Sequence, residues 1–103
     1  MTDFTHNYDW LVTKFSQVMD NHQELGKALR KAGPLDEKNS HLIQIGAAAA
    51  IRAEGSVHSH VKRALSAGAS DDEIYHAIIL LTSTIGFPAV AAALSWAREI
   101  VEK

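Results

Sequence analysis

Arg52-Ala53-Glu54-Gly55-Ser56-Val57-His58-Ser59-His60-Val61-Lys62-Arg63-Ala64-Leu65 is a polar, histidine-bearing segment between two apolar helical runs. Val57, Val61, Ala64 and Leu65 recur at helical spacing and define an inward face. His60 is three residues after Val57 and four before Ala64, so it lies beside that face. Ser56 precedes it by one turn and is within its reach. His58 is two residues from His60, a rotation of about 200° on a helix. It is expected to point elsewhere, with Lys62 as its neighbour one turn on.

Upstream, His41 shares a face with Ile45, Ala48 and Arg52. If the helices on either side of the segment fold back as a hairpin, Arg52 and Glu54 lie near the bend. Whether His41 then meets His60 depends on packing that spacing does not give. Beyond this pair, the chain reads as helices with short connections. No segment sustains the alternation of a strand, and Ala, Leu, Ile, Glu and Lys dominate.

A first helix is expected over Tyr8–Met19, with Asn7 as its N-cap. Asp20-Asn21-His22 caps a second, ended by Gly33-Pro34. The third starts near Asp36 and runs to about Ala53, and the fourth spans Ser56–Ala67, closed by Gly68. Ser70-Asp71-Asp72-Glu73 reads as a capping box with acids at the positive end of the helix dipole. The helix it opens runs to about Ile85. Gly86-Phe87-Pro88 breaks it, and Pro88 suits the start of the last helix. The last two helices are apolar over more than one stripe, which calls for burial on more than one side. In a chain this small that points to a subunit interface between identical copies.

The bulk properties narrow the function. The 103 residues suit one domain, 47% are hydrophobic and 21% charged, and the formal net charge is −2. No basic run is visible, so nucleic acid is not expected as a partner. There is no cysteine. Disulfides, thiolate metal sites and thiol chemistry by this chain alone are excluded. A reducing, cytoplasmic setting fits that composition. Met1-Thr2-Asp3-Phe4-Thr5-His6 has neither the basic nor the apolar part of a secretory signal. The apolar stretches fall short of a membrane span, so no membrane partner is expected.

Six histidines are many for this length. His6, His22 and His76 read as solvated or edge residues. A metal reading would take Glu54, His58 and His60. Its signal is weak, because the two histidines diverge on a helix and a zinc site wants three convergent ligands. No metal is therefore expected. Ser56 beside His60 could suggest a nucleophile and its base, but no orienting carboxylate or oxyanion hole is identified. No glycine-rich phosphate loop or G-x-S-x-G elbow is present.

Three elements together resemble the carboxymuconolactone decarboxylase family, which includes the alkylhydroperoxidase D proteins. They are Leu35-Asp36-Glu37-Lys38-Asn39-Ser40-His41-Leu42-Ile43, the stretch from His60-Val61-Lys62-Arg63-Ala64-Leu65 to Asp72-Glu73-Ile74, and the turn Gly86-Phe87-Pro88-Ala89. The match covers about Leu35 to the C-terminus. The resemblance implies an all-α, alkylhydroperoxidase D-like bundle of about six helices that assembles as a homotrimer or homohexamer. It also implies one domain over 1–103, with residues 1–34 as N-terminal helices and 35–103 as the family core.

The family's peroxidase branch uses a C-x-x-C-x-x-x-H motif and a glutamate on the preceding helix. On this chain His60 takes the place of the motif histidine. Ala53 and Ser56 fall where the cysteines would be, and His41 falls where the glutamate would be. Peroxidase activity is therefore not expected, although family membership alone would suggest it. The decarboxylase branch needs no cysteines and no cofactor. It removes carbon dioxide from a lactone acid, a task a histidine can serve. That branch often has a glutamate at the position of Ser56 and a longer N-terminus, two departures here.

The resulting expectation is a cofactor-independent lyase or proton-transfer enzyme acting on a small carboxylate. His60, Ser56 and His41 are its catalytic candidates, and Arg52, Glu54 and His58 its substrate-binding candidates. The pocket is expected between the third and fourth helices. The alternative is a family member that binds a ligand without catalysis, or only assembles.

Overall fold

The computed structural model describes residues 4–103, so Met1, Thr2 and Asp3 of the leader reading lie outside the described residues. Among the described residues there are seven α-helices and no strand. The chain divides into two compact units, one ending at Pro34 and one spanning Leu35–Lys103.

The first unit is a helix pair, α1 (Phe4–Lys14) and α2 (Ser16–Lys31). The expected break at Asp20-Asn21-His22 is not there; those residues lie inside α2, and Asn7 lies inside α1 rather than capping it. The chain bends at Phe15, whose φ of −127° and ψ of 53° leave the helical region. Backbone hydrogen bonds continue past the bend, from Phe15 N to the Leu11 carbonyl (2.8 Å) and from Met19 N to the Phe15 carbonyl (3.0 Å). The Trp10 ring meets Phe15 edge-on at 5.9 Å. A kink of this kind needs neither a breaker nor a polar cap, which is why polar residues misplace it. Arg30 and Lys31 close α2 with positive charge at the negative end of its dipole.

The second unit holds α3 (Glu37–Ala50), α4 (Glu54–Ser66), α5 (Asp71–Ile79), α6 (Thr82–Ile85) and α7 (Phe87–Val101). Asp36 caps α3 by accepting a hydrogen bond from Asn39 N at 2.8 Å. α3 stops three residues earlier than expected. Ala53 N donates to the Ala48 carbonyl (2.9 Å) and Arg52 N to the Ala49 carbonyl (3.1 Å). This pair of bonds is a Schellman closure, with Arg52 in the left-handed position at φ 57°.

α4 ends in the same way. Ala69 N donates to the Ala64 carbonyl (2.9 Å) and Gly68 N to the Leu65 carbonyl (3.0 Å), with Gly68 at φ 99°. The expected capping box then opens α5. The Ser70 hydroxyl accepts from Glu73 N at 3.0 Å, and the Glu73 carboxylate accepts from Ser70 N at 2.9 Å. Glu73 also pairs with Lys38 of α3 at 2.9 Å.

α5 does not run to Ile85. It ends at Ile79, and α6 is a single turn beyond Leu80 and Leu81. The Thr82 hydroxyl donates to the Ile79 carbonyl at 2.8 Å and occupies an acceptor at the break. Gly86, at φ 90°, then turns the chain into α7, with Pro88 in its first turn.

α4 packs against both α3 and α7, and α5 likewise touches both. Ile45, Val57, Val61, Ile74, Ile78 and Val90 are fully buried. Burial of each such side chain is worth about 1.5–3 kcal/mol. Alanines 48, 49, 64, 93 and 97 fill the core between them. Ile79, Leu80 and Phe87 stay exposed on this chain, so the apolar surface of the last helices is not all consumed by its own core.

Candidate active site between α3 and α4

The hairpin of α3 and α4 settles what spacing left open. His41 and His60 meet, Nδ1 to Nδ1, at 3.1 Å, with ring centroids 5.4 Å apart and planes tilted by 36°. His41 is only 1% exposed and His60 is half-buried. Two Nδ1 atoms at that distance share one proton, one ring donating and the other accepting. His41 Nε2 lies 3.9 Å from Glu37 Oε1, one turn back on α3. A carboxylate beside that nitrogen favours a proton on it. On this argument His41 carries its proton on Nε2 and accepts at Nδ1. His60 then donates at Nδ1 and keeps a basic lone pair on Nε2. Glu37, His41 and His60 thus stand in a row from the exposed α3 surface to the α4 ring.

The other candidates divide. Ser56 is half-buried on α4, one turn before His60. Arg52 stands exposed at the bend between α3 and α4. Glu54 and His58 belong to a different grouping. His58 is 8% exposed, and its Nε2 lies 3.9 Å from Glu99 Oε1 on α7. The expectation that His58 is an outlier beside Lys62 is corrected. α4 has two packed sides, so the rotation that takes His58 away from α3 delivers it to α7 rather than to solvent. His6, His22 and His76 are exposed, as expected.

A separate cleft lies on the other side of α3. A cleft of about 400 Å³ opens between α3 and α5, lined by residues that include Leu42, Gly46, Ala77 and Leu81. Neither His60 nor Arg52 lines it. Of the charged groups here, Glu73 is held below the usual carboxylate range, first by the Ser70 backbone hydrogen bond and then by Lys38. Lys38 is correspondingly raised by its hydrogen bond to Glu73.

Sequence reasoning passed over two residues. Glu37 was legible, since it precedes His41 by one helical turn. Glu99 was not, because only the packing of α7 on α4 brings it to His58.

The fold is similar to the crystal structure of an apo carboxymuconolactone decarboxylase family protein from Legionella pneumophila. The TM-score is 0.77 at 24% identity, covering 96% of this chain and 91% of that one. At that identity the likeness speaks to fold. No curated protein matches the sequence. The model of the carboxymuconolactone decarboxylase family matches residues 16–99, and the chain belongs to that family.

Proposed function

We propose that the chain is a cofactor-independent acid–base enzyme, a lyase or proton-transfer catalyst acting on a small carboxylate. The 3.1 Å contact between the His41 and His60 Nδ1 atoms carries the reading. In a decarboxylation, the bond between the lactone ring and its carboxylate breaks and carbon dioxide leaves. The electron pair passes into the conjugated ring and is quenched by a proton. His60 takes up a proton from solvent at its Nε2 lone pair and delivers it to the ring carbon that carbon dioxide leaves, while His41 fixes the tautomer. Ser56 adds a hydrogen bond, and Arg52 holds a carboxylate by its planar fork. Thiol peroxidase chemistry forms no part of this reading, because the chain has no cysteine.

The test is carbon dioxide release from carboxymuconolactone, and from related lactone acids, by the purified protein. His60→Ala is expected to lower the rate by about 10²–10⁴-fold, the usual worth of a positioned acid–base group. Full retention of activity in that variant removes His60 from the mechanism.

A second reading is a non-catalytic, self-assembling member that binds an apolar ligand. It is favoured by the α3–α5 cleft, which His60 does not line, and by exposed Ile79, Leu80 and Phe87. Homotrimer or homohexamer formation and cytoplasmic residence are compatible with both readings. Light scattering is expected to give a mass several times 11.2 kDa. A stable monomer removes self-association. Absence of turnover across the lactone acids, with assembly intact, selects the second reading.

A further inference from the structure

Glu54, His58 and Glu99 are not needed by the His41–His60 pair, and their arrangement has its own chemistry. Glu54 and His58 are one turn apart on α4, and Glu99 comes from the facing α7. One ligand atom from each lies within 4.8 Å of the others. We propose that these three residues form a binding site for a first-row divalent transition-metal ion.

Three observations carry the site. The first is spacing. Ligand bonds of about 2.0–2.2 Å put the ligand atoms of a shared ion roughly 3–4 Å apart. The His58 Nε2 to Glu99 Oε1 separation of 3.9 Å falls in that range and is too long for a good hydrogen bond. The widest separation, up to 4.8 Å, exceeds that range and has to close by side-chain rotation when the ion binds.

The second is an unsatisfied oxygen. Glu99 Oε2 is sealed from solvent and accepts no hydrogen bond among the described residues. A buried carboxylate oxygen without a donor is costly, and a cation is the partner that removes the cost. Two carboxylates and one imidazole make a donor set that suits a 2+ ion.

The third is access. Glu99 also lines a solvent-facing cavity of about 370 Å³ with Ser95, Arg98, Glu102 and Lys103. The Glu99 side chain, 30% exposed, thus connects the cluster to solvent. The donor set selects the metal. One imidazole and two carboxylates, with no sulfur, suit Zn²⁺ or Mn²⁺ better than Mg²⁺ or Ca²⁺, which prefer oxygen alone. Three protein ligands leave room for water in the remaining position. The sequence-level objection that His58 and His60 diverge does not apply, because the third ligand is Glu99 rather than His60.

The experiment is calorimetric titration of the chelator-treated full chain with Zn²⁺, and separately with Mn²⁺ and Mg²⁺. One Zn²⁺ per chain is expected, with Mg²⁺ at least tenfold weaker. His58→Gln and Glu99→Gln should each weaken Zn²⁺ by at least tenfold, whereas His76→Gln should not. Circular dichroism checks that each variant is folded. If a variant fails to fold, Mn²⁺ line broadening in the intact chain replaces it: the His58 ring signals should broaden first. Absence of stoichiometric binding, retention of affinity in Glu99→Gln, or broadening first at another histidine overturns the site. None of these readings depends on lactone turnover, so the outcome is separate from that of the proposed reaction.

Discussion

Two connections in the second unit use the same hydrogen bonds and opposite residues. After α4, a Schellman closure places Gly68 at φ 99°, and Ser70 then opens α5 with a complete capping box. After α3, the same closure places Arg52 at φ 57°, and Ala53 opens α4 without any side-chain cap. The first turn follows every local preference. The second gives a glycine position to the bulkiest cation and a cap position to a residue that cannot cap. Such departures gather where function competes with stability. The poorly made turn is the one beside the segment that holds Ser56, His58 and His60.

Of the substitutions at the two turns, Gly68→Val should have the largest effect. A Cβ built at Gly68 meets nothing within 4 Å, so the cost begins with backbone strain at φ 99°. A β-branched residue at that angle should lose about 1–3 kcal/mol, read by urea denaturation. A loss near zero would show that the turn relaxes and that Gly68 is not required.

Arg52→Gly should act the other way. Relief of the left-handed strain should gain about 1 kcal/mol. If Arg52 holds the substrate carboxylate, KM should rise in the same variant. A gain in stability with unchanged kinetics would make the arginine merely tolerated. A loss of stability would mean that its side chain supports the bend.

The smallest effect concerns the well-made turn. The folded-state value of Glu73 is lowered by the Ser70 backbone hydrogen bond and by Lys38, so its contribution is present above the unfolded carboxylate range. It is lost as pH falls through the folded value. Lys38 is raised by Glu73, so its share is present below the unfolded lysine range and is lost as pH rises through the folded value. Both groups are half-buried and in reach of solvent, so salt should weaken the pair. Glu73→Gln should flatten the acid side of the stability profile slightly. An unchanged profile would take the cap out of the pH dependence.

What the sequence disclosed follows the range of the forces involved. The Asp36 cap, the Ser70 box, Gly68 and Gly86 are local, and each was readable within a few residues. The bend at Phe15 and the break after Ile79 were not, because both occur at apolar residues with no breaker nearby. The His60 side of α4 was readable because apolar neighbours marked it. The His58 side was misread because one stripe was taken as the only inward face. α4 touches α3 and α7, so it has two such faces, and a single sequence does not say which neighbour occupies each. The α3–α5 cleft depends on the same kind of tertiary placement.

The shared proton between His41 and His60 has a consequence for where charge resides. When His60 takes up a second proton at Nε2, its Nδ1 proton can cross the 3.1 Å gap to His41. The positive charge then sits on α3 beside Glu37, at 3.9 Å, instead of on the α4 ring. No heavy atom has moved and no water has been consumed. The pair therefore moves charge across the α3–α4 interface by the shift of one proton, while its rings stay in place.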